Sequence, residues 1–200
     1  VRVLVACEFS GIVRDAFIAR GHEAVSCDLV PSERPGPHIV GDVCEILEDG
    51  WDMMIAHPPC TYLASSGLHW NTRIPGREER THESMLFIFN LMGVGSIAHR
   101  IPKIALENPI GRISTAYRRP DQIIHPWQFG EDASKATCLW LKGLPLLEPT
   151  NELPGGRKAR RANQTPSGQN KLGPSPTRAA DRARTYPGIA NAMADQWGGS

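Results

Sequence analysis

The chain has no Cys-x-x-Cys pair, although five cysteines are present: Cys7, Cys27, Cys44, Cys60 and Cys138. Their odd number and wide spacing argue against a zinc site and against a disulfide framework, so no metal is expected. No apolar run approaches the roughly 20 residues of a membrane-spanning helix, and the first residues do not read as a signal peptide. The expectation is a cytoplasmic protein in a reducing environment, with no membrane partner. Neither a P-loop nor a complete G-x-G-x-x-G fingerprint occurs, which disfavours a binder of nucleotide phosphates. Charge of one sign is missing too: the formal net charge is only +1, so no global field announces a polyanionic partner.

The local charge distribution is more informative. Between Asn151 and Arg184 stand Arg157, Lys158, Arg160, Arg161, Lys171, Arg178, Arg182 and Arg184, against Glu152 and Asp181 alone. That surplus of six leaves the remainder at about −5 for the stated total of +1. A catalytic body with a basic arm that approaches phosphates fits this split, as does a solvated loop. Residues 148–186 are rich in Pro, Gly and Arg with almost no apolar periodicity, so they read as an arm within one 200-residue domain.

The first half alternates strands and helices. Val1–Cys7 is a β-branched run ending in the turn Glu8-Phe9-Ser10-Gly11. Ile12–Arg20 has helical spacing and stops at Gly21. Strands follow at Glu23–Leu29, Ile39-Val40 and Asp52–Ala56, with a turn or two of helix over Val43–Glu48. The longest helix is expected over Glu79–His99, with Met85, Phe89, Met92 and Ile97 inward. Lys103–Leu106 and Thr137–Leu141 read as late strands, and Gly188–Trp197 as a closing helix. This order predicts an α/β fold with a doubly wound, mostly parallel sheet.

Ligands of such sheets bind at the carboxyl ends of the strands, and the unusual residues of this chain fall there. Strand one delivers Glu8, Phe9, Ser10 and Gly11, strand two Asp28 and Leu29, and strand three Asp42. Strand four delivers Pro58, Pro59 and Cys60, and strand five Glu107 and Asn108. A turn of small residues lets a ligand approach backbone amides. An acid ending strand two is placed to accept from ribose hydroxyls. Each alone reads equally as a turn or cap residue; five in register point to a site. Cys60 is either a nucleophile or a small packing residue, and Glu107 either an acid or a helix cap. His57 either tunes the Cys60 thiolate or caps its loop.

These residues resemble the cytosine carbon-5 DNA methyltransferases. Glu8-Phe9-Ser10-Gly11 is similar to the family's first motif, Pro58-Pro59-Cys60 to its nucleophile motif, and Glu107-Asn108-Pro109 to its Glu-Asn motif. Gly188-Ile189-Ala190-Asn191-Ala192-Met193 resembles the closing Gly-Asn motif. The segment Ala-His-Pro-Pro-Cys-Thr-Tyr-Leu-Ala, residues 56–64, is shared with small phage-encoded cytosine methylases. The resemblance covers roughly residues 1–145 and 186–198 and implies a Rossmann-like fold that binds S-adenosyl-L-methionine. Glu8, Phe9, Ser10, Gly11, Asp28, Leu29, Asp42, Pro58 and Asn191 would hold the cofactor. Pro59, Asn108, Lys135 and Thr137 would contact a flipped or single-stranded cytosine in DNA. The host cytoplasm is the implied location if a phage encodes the chain. The family's Gln-x-Arg-x-Arg strand is absent, and only residues 148–186 stand where a target-recognition domain would lie, so that domain is reduced or missing.

The chemistry explains the residue types. Cytosine carbon 5 is a poor nucleophile until a group adds at carbon 6, which a thiolate such as that of Cys60 does well. Glu107 would protonate the ring nitrogen, and burial is expected to raise its pKa for that purpose. The base must leave the stack to be reached. Two other readings use the same residues: an amino-group methyltransferase, with Tyr62 beyond Pro-Pro, and a catalytically degenerate methylase fold that only binds DNA.

Overall fold

Val3, Leu4, Val5 and Ala6 are all fully buried, because the strand they form is covered on both faces. In the computed structural model, which describes residues 1–173, 175 and 177–199, this strand is β1 (Arg2–Ala6). It lies between β2 (Glu23–Asp28) and β4 (Met53–Ala56), parallel to both. Beyond β2 runs β3 (His38–Val40), and beyond β4 runs β5 (Lys103–Pro109), again parallel. With β6 (Gln122–Ile124) and β7 (Thr137–Lys142), the seven strands form one sheet in the order β3-β2-β1-β4-β5-β7-β6. Only β7 runs antiparallel to its neighbours.

Alternate side chains of each strand serve opposite layers, as the period of two requires. Leu4, Met54, Ile104 and Trp140 join Met85, Ile88 and Leu91 of α3 (Arg77–Leu91) in one cluster. Val3, Val5, Ile55 and Leu139 join α1 (Ile12–Ile18) and α6 (Pro187–Trp197) in the other. Three short helices complete the set: α2 (Ser65–Leu68), α4 (Ile113–Ala116) and α5 (Arg178–Ala183). Among the described residues no helix is long and apolar enough to cross a membrane.

Several boundaries differ from the sequence reading. The first strand ends at Ala6, since Cys7 adopts φ 58°, a left-handed conformation costly for a residue with a Cβ. The long helix stops at Leu91 rather than His99, because Gly93 turns back at φ 75° and the Val94 N–H donates to the Phe89 carbonyl. Ile88 and Leu91 are its most buried residues. The fifth strand continues past Leu106 through Glu107, Asn108 and Pro109, which pair with Leu139, Cys138 and Thr137. A partner strand distant in sequence supplies those contacts. The basic arm is not featureless. It contains a 3₁₀ turn at Gly156–Lys158 and helix α5; positions 174 and 176 of it lie outside the described residues.

The turn after β1 depends on Arg14, which is fully buried in α1. Its guanidinium donates to Asp15 at 2.8 Å, Ser26 at 3.2 Å, Ser32 at 3.1 Å and the Pro35 carbonyl at 3.0 Å. It thereby ties the Pro-rich loop after β2 onto α1. Gly11, at φ 70°, passes so close that a Cβ there would lie 2.5 Å from the guanidinium. Arg14→Leu should lower unfolding free energy by about 2–4 kcal/mol. Removing one partner of a buried pair costs about 3–5 kcal/mol, and here the partner Asp15 keeps about one third of its side-chain exposure. A urea midpoint unchanged from the wild type would contradict this role.

Candidate functional site

The carboxyl ends of β4 and β5 lie side by side, which brings His57, Cys60 and Glu107 into one neighbourhood. The His57 N–H donates to the Ala6 carbonyl at 2.9 Å, so the chain leaving β4 remains pinned to β1. Its Nδ1 lies 3.2 Å from Glu107 Oε2, with both side chains largely enclosed. His57 is thus placed on Glu107. Its Nε2 is buried with no partner among the described residues.

Pro58 and Pro59 carry the chain to Cys60, which is exposed. The loop is clamped from β5: Asn108 Nδ2 donates to the Pro58 carbonyl at 2.8 Å. Asn108, expected to touch substrate, is buried and holds this loop; its Oδ1 has no partner among the described residues. The Cys60 carbonyl accepts from the N–H groups of Leu63 and Ala64, which turns the chain sharply beyond the thiol.

Glu107 departs from expectation in its charge. Burial pushes its carboxyl upward, but Lys135, the hydrogen bond from His57 and that from Thr137 outweigh burial and hold it below the ordinary carboxylate range. The expected raised value is therefore corrected: burial came with three compensating partners. The Cys60 thiol moves the other way. The protein packed around it, then the Glu107 charge, push it above its ordinary value, against the pull of Lys135 and Arg182. Glu107, Lys135 and Thr137 line a narrow cleft with Thr185, Tyr186, Ile189 and Met193. Ile189 and Met193 belong to the segment that resembles the closing motif, whereas Thr185 and Tyr186 were not singled out by the sequence. These four come from α6 and the residues before it, which no spacing rule links to β5.

The turn after β1 is ordered from within. Glu8 is buried, and its carboxylate accepts from the N–H groups of Val13 at 2.7 Å and Arg14 at 3.2 Å and from the Ser10 hydroxyl at 3.1 Å. It caps the start of α1, where the backbone leaves donors unsatisfied and the dipole favours an anion. The Phe9 carbonyl accepts from Glu33 N–H at 2.8 Å, and Arg184 stands 5.9 Å over the Phe9 ring. Asp28 Oδ1 accepts from Val30 N–H, and Asp42 Oδ1 from Cys44 N–H. Between them Leu29 is 75% exposed, an uncovered apolar face at a strand end. Asn191 does not join this group. It is exposed on the outer side of α6 and accepts from Arg20 at 3.2 Å.

The basic arm also divides. Arg161 is buried, and Arg184 is held by Glu33 and Asp181, so neither is a free surface charge. Arg157, Lys158, Arg160, Lys171 and Arg182 are exposed. The arm is also fastened beside the cleft: Asn163 bonds both backbone groups of Ser134, and Lys135 Nζ donates to the Arg182 carbonyl at 2.9 Å. Among the described residues no group of three or more His, Cys, Asp or Glu is arranged to hold a metal ion.

No family model matches the chain, and no curated protein sequence does. Among solved structures it is similar to a prophage-encoded E. coli protein described as a candidate DNA modification methyltransferase. The identity is 13%, the TM-score 0.48, and the match covers 77% of this chain and 52% of that one. The chain thus spans about half the length of that structure.

The opposed electrostatics of Cys60 and Glu107 are testable by alkylation. Iodoacetamide modification of Cys60, followed by peptide mass, should titrate above the ~8.5 of an ordinary thiol. Glu107→Gln removes a charge that raises the thiol and should move the midpoint down. An upward or absent shift would mean that Glu107 does not act on the thiol.

Proposed function

We propose that this chain is a doubly wound, methyltransferase-like unit spanning residues 1–200, with residues 148–186 as an arm. It moves a methyl-type group from S-adenosyl-L-methionine to cytosine carbon 5 in DNA. The observation that carries this reading is the meeting of an accessible thiol with a largely enclosed carboxylate, hydrogen-bonded to His57, at adjacent strand ends. Cys60 and Glu107 there share the influence of Lys135.

The strand ends beside them suit an adenosyl group. Asp28 ends β2 and the exposed apolar Leu29 follows it, Asp42 lies just beyond β3, which pairs with β2, and Phe9 to Gly11 form a turn held rigid by Glu8 and Arg14. Asp28 would accept from ribose hydroxyls and Leu29 would cover the adenine, with Phe9, Ser10, Gly11, Asp42 and Pro58 completing the wall. Glu8 supports this wall from behind as the cap of α1. When bound, the cofactor supplies an electrophilic carbon on a sulfonium centre.

The chain's own residues do the rest. Cys60 Sγ adds to cytosine carbon 6, and the electron pair displaced from the 5,6 double bond is delocalised through carbon 5 toward N3 and O2. An ionised Glu107 cannot protonate N3 as it stands. It is, however, the base available to receive the Cys60 proton, after which it donates to N3. This transfer also removes the negative charge that keeps the thiol protonated. Carbon 5, now electron-rich, takes the methyl group. N3 then returns its proton to Glu107, solvent water takes the carbon-5 proton, and Sγ leaves as the thiolate with the electron pair of the carbon–sulfur bond, which restores the ring. His57 Nδ1 and Thr137 hold the carboxylate in place, and Lys135 offsets its charge. Pro59 lies beside Cys60 on the loop that the base would meet. The thiol must reach carbon 6, so the cytosine is flipped out or single-stranded.

An oligonucleotide carrying 5-fluorocytosine tests the mechanism, since fluorine blocks the final elimination. With cofactor, the wild type should form a covalent complex of the combined mass. Cys60→Ser should fold and bind cofactor but form none, because a hydroxyl is too weakly ionised to replace the thiolate. Adduct formation by the serine variant would sink this role for Cys60. Transfer of label to DNA without any adduct in the wild type would favour amino-group methylation.

Asp28→Ala should weaken S-adenosyl-L-methionine binding by about 1.5–3 kcal/mol, the range for a hydrogen bond to a charged group. Calorimetry showing the same affinity would remove Asp28 from the cofactor site.

A further inference from the structure

A second cavity, of about 380 Å³, lies away from the strand ends, between the arm and the segment that leads into β7. That volume is within the ~300–1,000 Å³ of small-ligand pockets. Three cations line it, Arg160, Arg161 and Lys171, against the single acid Asp132. Arg160 and Lys171 are exposed at its rim.

Arg161 is the unusual member, with only 5% of its side chain exposed. One terminal nitrogen donates to the Gly156 carbonyl at 2.8 Å, and the guanidinium lies 5.4 Å from the centre of the Trp127 ring. Asp132 comes no nearer than 4.0 Å, beyond hydrogen-bond reach. The Nε–H is buried without a partner among the described residues. A guanidinium fixed on an aromatic face, with an unsatisfied donor and a single acid that faces it without a hydrogen bond, is prepared for an anion that accepts from it. A phosphate ester matches its planar fork of donors.

The surroundings are braced as well. Arg161 N–H donates to Gln164 Oε1 at 2.9 Å, and Asn163 is locked to Ser134. Asp132 lines this cavity, and Lys135, three residues further on, lines the cleft with Glu107. One short segment therefore forms a wall of both.

We infer that this cavity is a phosphate seat for the nucleic-acid strand whose base is presented to Cys60, held by Arg161 with Arg160 and Lys171 at the rim. The inference rests on the reading of the substrate as DNA and adds where the backbone is gripped. A free nucleotide presents the same phosphate chemistry, and the two ligands are separable.

The experiment is fluorescence anisotropy of a single-stranded 12-mer containing one cytosine, with salt varied, on wild type and two variants. Arg160→Gln/Lys171→Gln changes only exposed side chains; Arg161→Lys keeps the charge but loses the fork. Each phosphate contact contributes about 0.7 to the slope of log affinity against log salt for single strands. The double variant should shallow that slope by about 1.4 and weaken binding roughly tenfold at low salt. Arg161→Lys should weaken binding at nearly the same slope. Deoxycytidine monophosphate is the second probe: variants that lose the mononucleotide equally assign the seat to a free nucleotide's phosphate and overturn the strand assignment.

Unchanged affinity and slope in both variants overturns the seat, as does a wild type that binds no oligonucleotide. A covalent 5-fluorocytosine adduct alongside unchanged slopes would reject the seat alone. A shallower slope without any adduct would leave the seat standing and reject the thiol chemistry.

Discussion

An ionised carboxylate enclosed by protein must have partners, because the cost of removing a charge from water far exceeds that of leaving it exposed. Glu107 obtains them from three directions. His57 comes from the end of β4, Thr137 from the start of β7 and Lys135 from the segment just before β7. Each partner exists only because the neighbouring strands are aligned at that level. The antiparallel β5–β7 pairing extends through Glu107–Leu139 and Asn108–Cys138, and Asn108 in turn clamps the Pro58 carbonyl and so positions the Cys60 loop. The site is therefore a consequence of how the centre of the sheet closes. A substitution that disturbs the β7 lead-in would act on the thiol through the carboxylate.

The neighbouring strand ends of β1 and β2 use a buried cation instead. Arg14 gathers Ser26, Ser32 and the Pro35 carbonyl around one guanidinium. Glu8 meanwhile spends its carboxylate on the first amides of α1. The turn between β1 and α1 is held from beneath by both, while Arg184 overlies Phe9 and Leu29 stays toward solvent. The oxygens of a triphosphate would have to compete with Glu8 for the same amides.

The arm links these two regions. Arg184 bonds Glu33 in the loop after β2 and overlies Phe9, while Lys135 holds the Arg182 carbonyl near Glu107. Charges that look equivalent along the chain thus have different work. Arg184 fastens the arm, Arg161 is stacked and enclosed, and Arg160 and Lys171 stand at an open rim. Net charge over a segment does not distinguish these roles, because it is blind to which cations have found a carboxylate.

By itself the sequence determined the order and type of most elements, since strand and helix periodicities are local and the turns carry Gly, Pro or Asp. It also singled out Cys60 and Glu107, because Pro58-Pro59-Cys60 and Glu107-Asn108 fall at the ends of successive buried strands. Tertiary structure decided what locality cannot. Strand β5 runs on through Glu107 because β7 is there to pair with it, and α3 stops at Leu91 because Gly93 turns back. The Glu107 carboxyl is lowered, although burial alone would raise it, because residues 50 positions earlier and about 30 later converge on it. Asn191 lies with Arg20 on the outer face of α6, since helix rotation is set by packing against α1. The buried Arg14 and Arg161 carry no mark in the sequence, because the acceptors and rings that enclose a guanidinium come together only when the chain folds.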